Sequence, residues 1–325
     1  MKLQRRQFFQ LAAAAAALPV ASRLSFAQSY PSRPVRVIVG YAPGGGTDIA
    51  ARLIGQWLAE RLGQPFVIEN RPGAGGNIGT EAAVRSAPNG DTLLLASLAN
   101  ATNATLYEKL NYNFIRDIAP VAGILRVPNV MVVHPSLPVK TVSEFVAYAK
   151  ANPGKISMAS AGKGSPPHVA GVLFKMLAGV DMIHVPYRSG AAALNDLLGG
   201  QVQVTFESTS AAIGFVRAGT LRALAVTTSA RSAALPDLPT VAETVPGYEA
   251  SSWYGIGAPR NTPPAIIAKL NQEINAALAD PKLKARLDDL GALVLTGSPA
   301  DFGKLVADET EKWGKVIRAA NITID

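Results

Sequence analysis

The chain has no cysteine in its 325 residues, which removes disulfides, thiolate metal sites and cysteine nucleophiles together. Its three histidines, His134, His168 and His184, show neither metal-ligand spacing nor a His-Glu-x-x-His pattern. A Gly-x-Ser-x-Gly elbow and a Gly-x-x-x-x-Gly-Lys-Ser/Thr phosphate loop are both missing. Gly44-x-Gly46 is followed by Ile49, where a dinucleotide fingerprint needs glycine. Acidic pairs such as Asp288-Asp289 sit in a charged helical pattern and read as solvated. These gaps leave no cofactor, metal or catalytic constellation to expect. No basic stripe with interleaved aromatics occurs, which disfavours nucleic acid as a partner. Past the first residues, no segment is apolar for long enough to cross a bilayer.

What is present begins with an export signal. Basic residues in Met1-Lys2-Leu3-Gln4-Arg5-Arg6 precede an apolar stretch at 11–21 and a small-residue exit, Ser25-Phe26-Ala27. The apolar stretch is too short to span a membrane and is broken by Pro19. Residues 1–27 therefore read as a signal peptide cleaved after Ala27, and the protein as periplasmic. Arg5-Arg6 before Phe8-Phe9 fits twin-arginine export, and ordinary Sec export fits equally. Both stay open. The segment removes four bases (Lys2, Arg5, Arg6 and Arg23) from 31, leaving 27 against 23 acids. The balance falls from +8 to about +4, a weak attraction for acidic small molecules.

Short apolar strands then alternate with helical patterns, the signature of an α/β fold. Strands read at 35–40, 66–70 and 92–97, with helices at 48–62 and 79–86. A second set reads at 155–161, 182–185, 201–206 and 221–227, with helices at 168–177, 191–198 and 209–218. The tail reads as helices at 263–279 and 281–290, a strand at 292–295 and a helix at 299–320 opened by Ser298, Pro299 and Asp301. Two Pro-flanked extended stretches, 121–134 and 248–259, suit crossovers between two lobes, each a mixed sheet flanked by helices. The lobes are then 28–127 plus 250–325 and 128–249, with a ligand in the cleft between them.

The same device occurs twice: an apolar strand runs into a glycine-rich loop that opens a helix. The first is Tyr41-Ala42-Pro43-Gly44-Gly45-Gly46-Thr47-Asp48. The second follows Ser160-Ala161 as Gly162-Lys163-Gly164-Ser165-Pro166-Pro167-His168. Glycines let a ligand approach the main chain, and a helix start aims unpaired N–H groups at an anion. In the first loop, Thr47 offers a hydroxyl and Asp48 either caps the helix or accepts from a ligand. In the second, Ser160 and Ser165 offer hydroxyls, and His168 either donates to a carboxylate or completes the first turn. Each loop also reads as a tight turn. Asn70-Arg71-Pro72-Gly73-Ala74-Gly75-Gly76-Asn77 is a further glycine loop that reads first as a surface connection. After the next strand, Tyr187 can wall a pocket and Arg188 can pair with a carboxylate. Glu207, at a strand end, can take a ligand hydroxyl or ammonium, or cap the next helix.

Taken in order, these segments resemble the Bug family, the extracytoplasmic solute receptors of tripartite tricarboxylate transporters. Further marks are His168-Val169-Ala170-Gly171, His184-Val185-Pro186-Tyr187-Arg188, Leu221-Arg222-Ala223-Leu224-Ala225-Val226-Thr227 and Leu238-Pro239-Thr240-Val241-Ala242-Glu243. The resemblance spans the chain beyond the signal. It implies a two-lobed Venus flytrap, of the periplasmic-binding-protein fold, that closes on an organic acid and delivers it to a membrane permease. It implies contacts through main-chain amides, hydroxyls and waters. First-lobe contacts come from Pro43, Gly44, Gly45, Thr47, Asp48 and the loop after Ser97, including Asn100. Second-lobe contacts come from Ser160, Ala161, Gly162, Ser165, His168, Tyr187, Arg188 and the acid at 207. The family commonly has aspartate there, and this chain has Glu207.

The sequence therefore favours a monomeric receptor for a carboxylate: a di- or tricarboxylate, an amino acid or an aromatic acid. Two alternatives stand beside it. One is an exported enzyme using His168 and Glu207 as acid and base; the other is a ligand sensor for a signalling partner.

Overall fold

The computed structural model describes residues 30–232, 234–289 and 292–322, so the expected signal peptide lies outside the described residues. Three parallel strands, β1 (Val35–Val39), β2 (Phe66–Asn70) and β3 (Thr92–Ser97), form one end of a continuous mixed sheet. The other end holds β5 (Ser157–Ser160), β6 (Ile183–Pro186) and β7 (Val204–Ser208), also mutually parallel. The path runs β2-β1-β3-β9-β4-β7-β5-β6.

Two strands carry the chain between the ends. β4 (Ile118–Val133) is 16 residues long and covers most of the stretch expected to be a crossover. Its first part, to Pro128, pairs antiparallel with β9 (Ser251–Pro259), and Arg126 and Leu125 pair with β10 (Leu293–Val294). From Asn129 onward it pairs instead with β7 and β8 (Arg222–Val226). Pro128 has no N–H to offer a ladder, and the partner changes immediately after it. This is a two-lobed α/β fold.

Helix α1 (Gly46–Leu62) follows β1 and stops at Gly63, which is left-handed with φ 73°. Helix α2 (Asn77–Val84) follows β2, and α3 (Leu98–Leu106) follows β3 directly. A short α4 (Phe114–Asp117) leads into β4, and α5 (Val142–Ala151) leaves it. Helices α6 (Pro166–Ala178), α7 (Gly190–Leu198) and α8 (Thr209–Arg217) follow β5, β6 and β7. The tail supplies α9 (Pro264–Ala279), α10 (Pro281–Asp289) and α11 (Pro299–Ala319).

Strand alternation divides the core. Val35, Val37 and Val39 turn to one face and pack with α1, α9 and α10 residues such as Ile54, Leu58 and Ile274. Ile38 and Leu94 turn to the other face, in one apolar cluster with Met131, Phe206, Phe174 and Trp313. That cluster bridges the two ends of the sheet. A third cluster holds α7 and α8 against Val130 and Val132.

Within each end the strands are parallel, and the two sets run in opposite directions, so their carboxyl ends and the loops that follow face each other. This opposition brings the 40–47 turn and the loops after β5, β6 and β7 to a common cleft.

Candidate functional site

A void of about 400 Å³ lies between the two sets of loops. From one side it is lined by Tyr41, Ala42, Gly45, Gly46 and Thr47. From the other come Ala161, Pro166, Pro167, Ser189, Gly190 and Glu207, while Ser252 and Tyr254 of β9 form the floor. It opens past Tyr41 and Ala161 into an outer cleft of about 680 Å³, walled by 72–76, Gly162, Tyr187 and Arg188.

The first glycine turn presents a helix start to the inner cavity. No side chain caps α1, so the N–H groups of Gly46 and Thr47 have no intrahelical partner. Asp48, 3% exposed, points away from a capping role at those amides. Its carboxylate accepts from Gly44 N–H at 3.1 Å, Arg52 at 2.9 and 3.0 Å, and Asn70 Nδ2 at 3.0 Å. Burial pushes its pKa up, but the hydrogen bonds from Arg52, Asn70 and Gly44 outweigh this and hold it below the usual range. Asp48 thus locks the turn whose amides line the cavity. Gly46 must be glycine for space: a Cβ there would stand 2.7 Å from the Tyr254 hydroxyl and 3.0 Å from Ser208 Oγ.

The second glycine turn is built differently. Gly162 N–H donates to Ser160 Oγ (3.2 Å), Gly164 N–H to His168 Nδ1 (3.0 Å) and Ser165 N–H to Gly162 O (3.2 Å). The first two residues of α6 are Pro166 and Pro167, which have no N–H. The loop therefore offers the cavity two proline rings and Ala161. Ser165 Oγ donates to Gly162 O at 2.6 Å, and Ser160 Oγ lies 2.6 Å from His184 Nε2. His168 is buried and stacked on His184 with ring centroids 3.9 Å apart. Burial first, then the neighbouring imidazole and Lys163, depress His168 to about 3. Burial and Lys163 depress His184 to about 4.

On this side the free helix start belongs to α7. Ser189 Oγ accepts from Ala192 N–H at 3.2 Å, which leaves the N–H groups of Gly190 and Ala191 without an intrahelical partner. Gly190 packs against the Glu207 carboxyl. Glu207 is 5% exposed; its Oε1 accepts from Ser208 N–H at 2.8 Å, and its Oε2 is buried without a partner. Burial raises its pKa to about 7 against the lowering bonds from Ser208. Among the described residues, no lysine, arginine or histidine lines the inner cavity.

Of the residues singled out in the sequence, Gly45, Thr47, Ala161 and Glu207 meet in the inner cavity. Gly162, Tyr187 and Arg188 wall the outer cleft, with Tyr187 Oη donating to Asp196 at 2.7 Å. Pro43, Gly44, Asp48, Ser160, Ser165 and His168 line neither space and shape the turns from behind. Ser97 and Asn100 are buried; Asn100 Oδ1 accepts from Ser97 N–H at 2.8 Å and Nδ2 donates to Thr80 at 2.8 Å. His168 and Glu207 are not brought together on the cavity wall. Ser189, Gly190, Ser252 and Tyr254 were not expected. The helix itself reads at 191–198 in the sequence; Ser189-Gly190 is a capping signal that could have marked its start as part of the site.

The family model described as "Tripartite tricarboxylate transporter family receptor" matches residues 50–322. The chain belongs to this receptor family. Protein BugT of Bordetella pertussis is 38% identical over 311 residues, covering 95% of this chain and 94% of that protein. Among solved structures, a protein of R. palustris with adipate superposes with TM-score 0.89 at 38% identity, covering 91% of this chain and all of the other. MatC from Rhodopseudomonas palustris with bound malate superposes at 0.85 with 36% identity, covering 89% and 100%. The periplasmic binding protein BugD gives 0.87 at 35% identity, covering 91% and 100%. The family and these neighbours are solute-binding proteins, and the carboxylate class of ligand is common to the two solved with bound acids. Among the described residues, no helix is long and apolar enough to cross a membrane.

Proposed function

We propose that this receptor captures a small carboxylate in the periplasm and hands it, as a monomer, to a membrane permease of the tripartite tricarboxylate type. The lobes in this reading are 28–127 plus 250–325 and 128–249, exchanging at the Pro128 partner change in β4. The observation that carries it is the inner cavity, where two helix starts, at Gly46–Thr47 and Gly190–Ala191, stand with unpartnered amides. Helix starts favour anions through both their N–H groups and their dipoles.

The magnitudes fit. A hydrogen bond to a charged group nets about 1.5–3 kcal/mol, so four give roughly 6–12 kcal/mol before association costs. Micromolar affinity needs about 8 kcal/mol. Lobe closure would exclude water and strengthen each bond. The Thr102 hydroxyl, 2.7 Å from Gly164 O, already joins α3 to the second glycine turn.

Thermal-shift screening of adipate, malate, tricarboxylates, amino acids and aromatic acids tests the reading. Stabilisation by at least one acid is expected. Silence across the panel would overturn it.

A further inference from the structure

The inner cavity contains an acid where an anion receptor would be expected to place a base. Glu207 sits near the end of β7 and faces the void, and its Oε2 is buried with no hydrogen-bond partner. Unpartnered buried polar atoms are costly and rare. The titratable groups nearest to it are Tyr41 from the turn after β1 and Tyr254 from β9, both buried hydroxyls that stay protonated. From α7 it meets the Gly190 backbone, and on its own strand it accepts from Ser208 N–H. Among the described residues, no cationic side chain lines the cavity. A ligand carboxylate brought beside an ionised Glu207 would face a like charge next to a buried carboxyl, where the two cannot both stay ionised cheaply.

We propose that Glu207 enters the complex as a neutral acid and donates its Oε2 hydrogen to a carboxylate oxygen of the ligand, so that capture takes up a proton at alkaline pH. This rests on the carboxylate reading of the cavity and adds a specificity to it. The proton gives Oε2 the partner it lacks and gives the ligand a strong O–H donor. It also makes this end of the cavity selective for an anion over an ammonium group, which would need Glu207 ionised. Burial holds the free carboxyl protonated up to about pH 7, so the proton is in place near neutrality.

Isothermal titration with adipate and with malate between pH 6.5 and 8.5, where both are dianions, tests it. Affinity of the unaltered protein should fall towards tenfold per pH unit above about 7. Titration in buffers of different ionisation heats should then show uptake approaching one proton. Glu207→Gln, which keeps an N–H donor and cannot ionise, should bind with no pH dependence over this range. Binding that is flat in pH, strengthens as pH rises, or takes up no proton overturns the proton's role and leaves carboxylate capture intact. Failure of both acids and of the wider acid panel at every pH overturns the carboxylate reading, and this proposal with it.

Discussion

Gly190 lies so close to Glu207 that a Cβ built on it would stand 2.5 Å from Oε2 and 2.9 Å from the carboxyl carbon. The first residue of α7 and the acid at the end of β7 thus fix each other. Alanine is a good helix former and Gly190 has no positive φ, so Gly190→Ala should fold. Its methyl must push the carboxyl into the cavity. We expect carboxylate affinity at least tenfold weaker with a melting temperature within a few degrees of the parent. Unchanged affinity would show that the carboxyl does not face the ligand.

Asp48 ties the first turn through Gly44, Arg52 and Asn70. Asp48→Ala removes four hydrogen bonds that a buried carboxylate accepts from donors within reach of solvent, and should cost about 1–2 kcal/mol of stability at pH 7, measured by urea denaturation. Its depressed pKa means this contribution is present above the unfolded value and is lost as pH falls through the folded one. A loss below about 0.5 kcal/mol would contradict the assignment.

The stacked imidazoles and Glu207 should act on stability in opposite directions. His168 and His184 bind protons near pH 6.5 when unfolded but only near 3 and 4 when folded. Stability should therefore drop as pH falls below 6.5, by up to about 1.4 kcal/mol per unit for each imidazole. Glu207, raised from 4.5 to about 7, costs stability as pH rises through that window. Denaturant titrations should find Glu207→Gln near the parent at pH 4.5 and about 3 kcal/mol more stable at pH 8. His168→Gln should flatten the acid slope by about one proton. Parallel curves for parent and variants would refute both assignments.

Thr102 Oγ1 donates to Gly164 O, joining α3 to the second glycine turn, and is fully buried. Thr102→Val keeps the volume and removes the hydroxyl. We expect about 1 kcal/mol, or roughly fivefold, in ligand affinity, read by calorimetry. An unaltered dissociation constant would mean that this bond persists in the open receptor as well.

Much of the fold was legible because apolar strands, glycine stops and caps coincide locally, as at β1, the Gly63 stop and the Ser298 cap. Helix α3 was not, since Leu98–Leu106 is rich in asparagine and threonine, poor helix formers held here by burial against α11. Helix α5 was missed although Thr141 accepts from Glu144 N–H as a local cap. In the site, the first turn's glycines were readable, whereas its uncapped helix start was not, since Asp48 stood equally as a cap. The second was less so, because the amides of Gly162, Gly164 and Ser165 are taken by Ser160, His168 and Gly162, and the prolines that follow supply none. The contact that sets His184 beside Ser160 depends on the pairing of β5 with β6, which spacing does not encode.

The central claim is that a ligand carboxylate sits between the starts of α1 and α7. A crystal structure of the protein with whichever acid gives the largest thermal shift tests it most directly. The account predicts carboxylate oxygens within hydrogen-bond distance of the Gly46–Thr47 and Gly190–Ala191 amides, with one oxygen on Glu207 Oε2. A ligand bound only in the outer cleft at Arg188, with the inner cavity left to water, would contradict it.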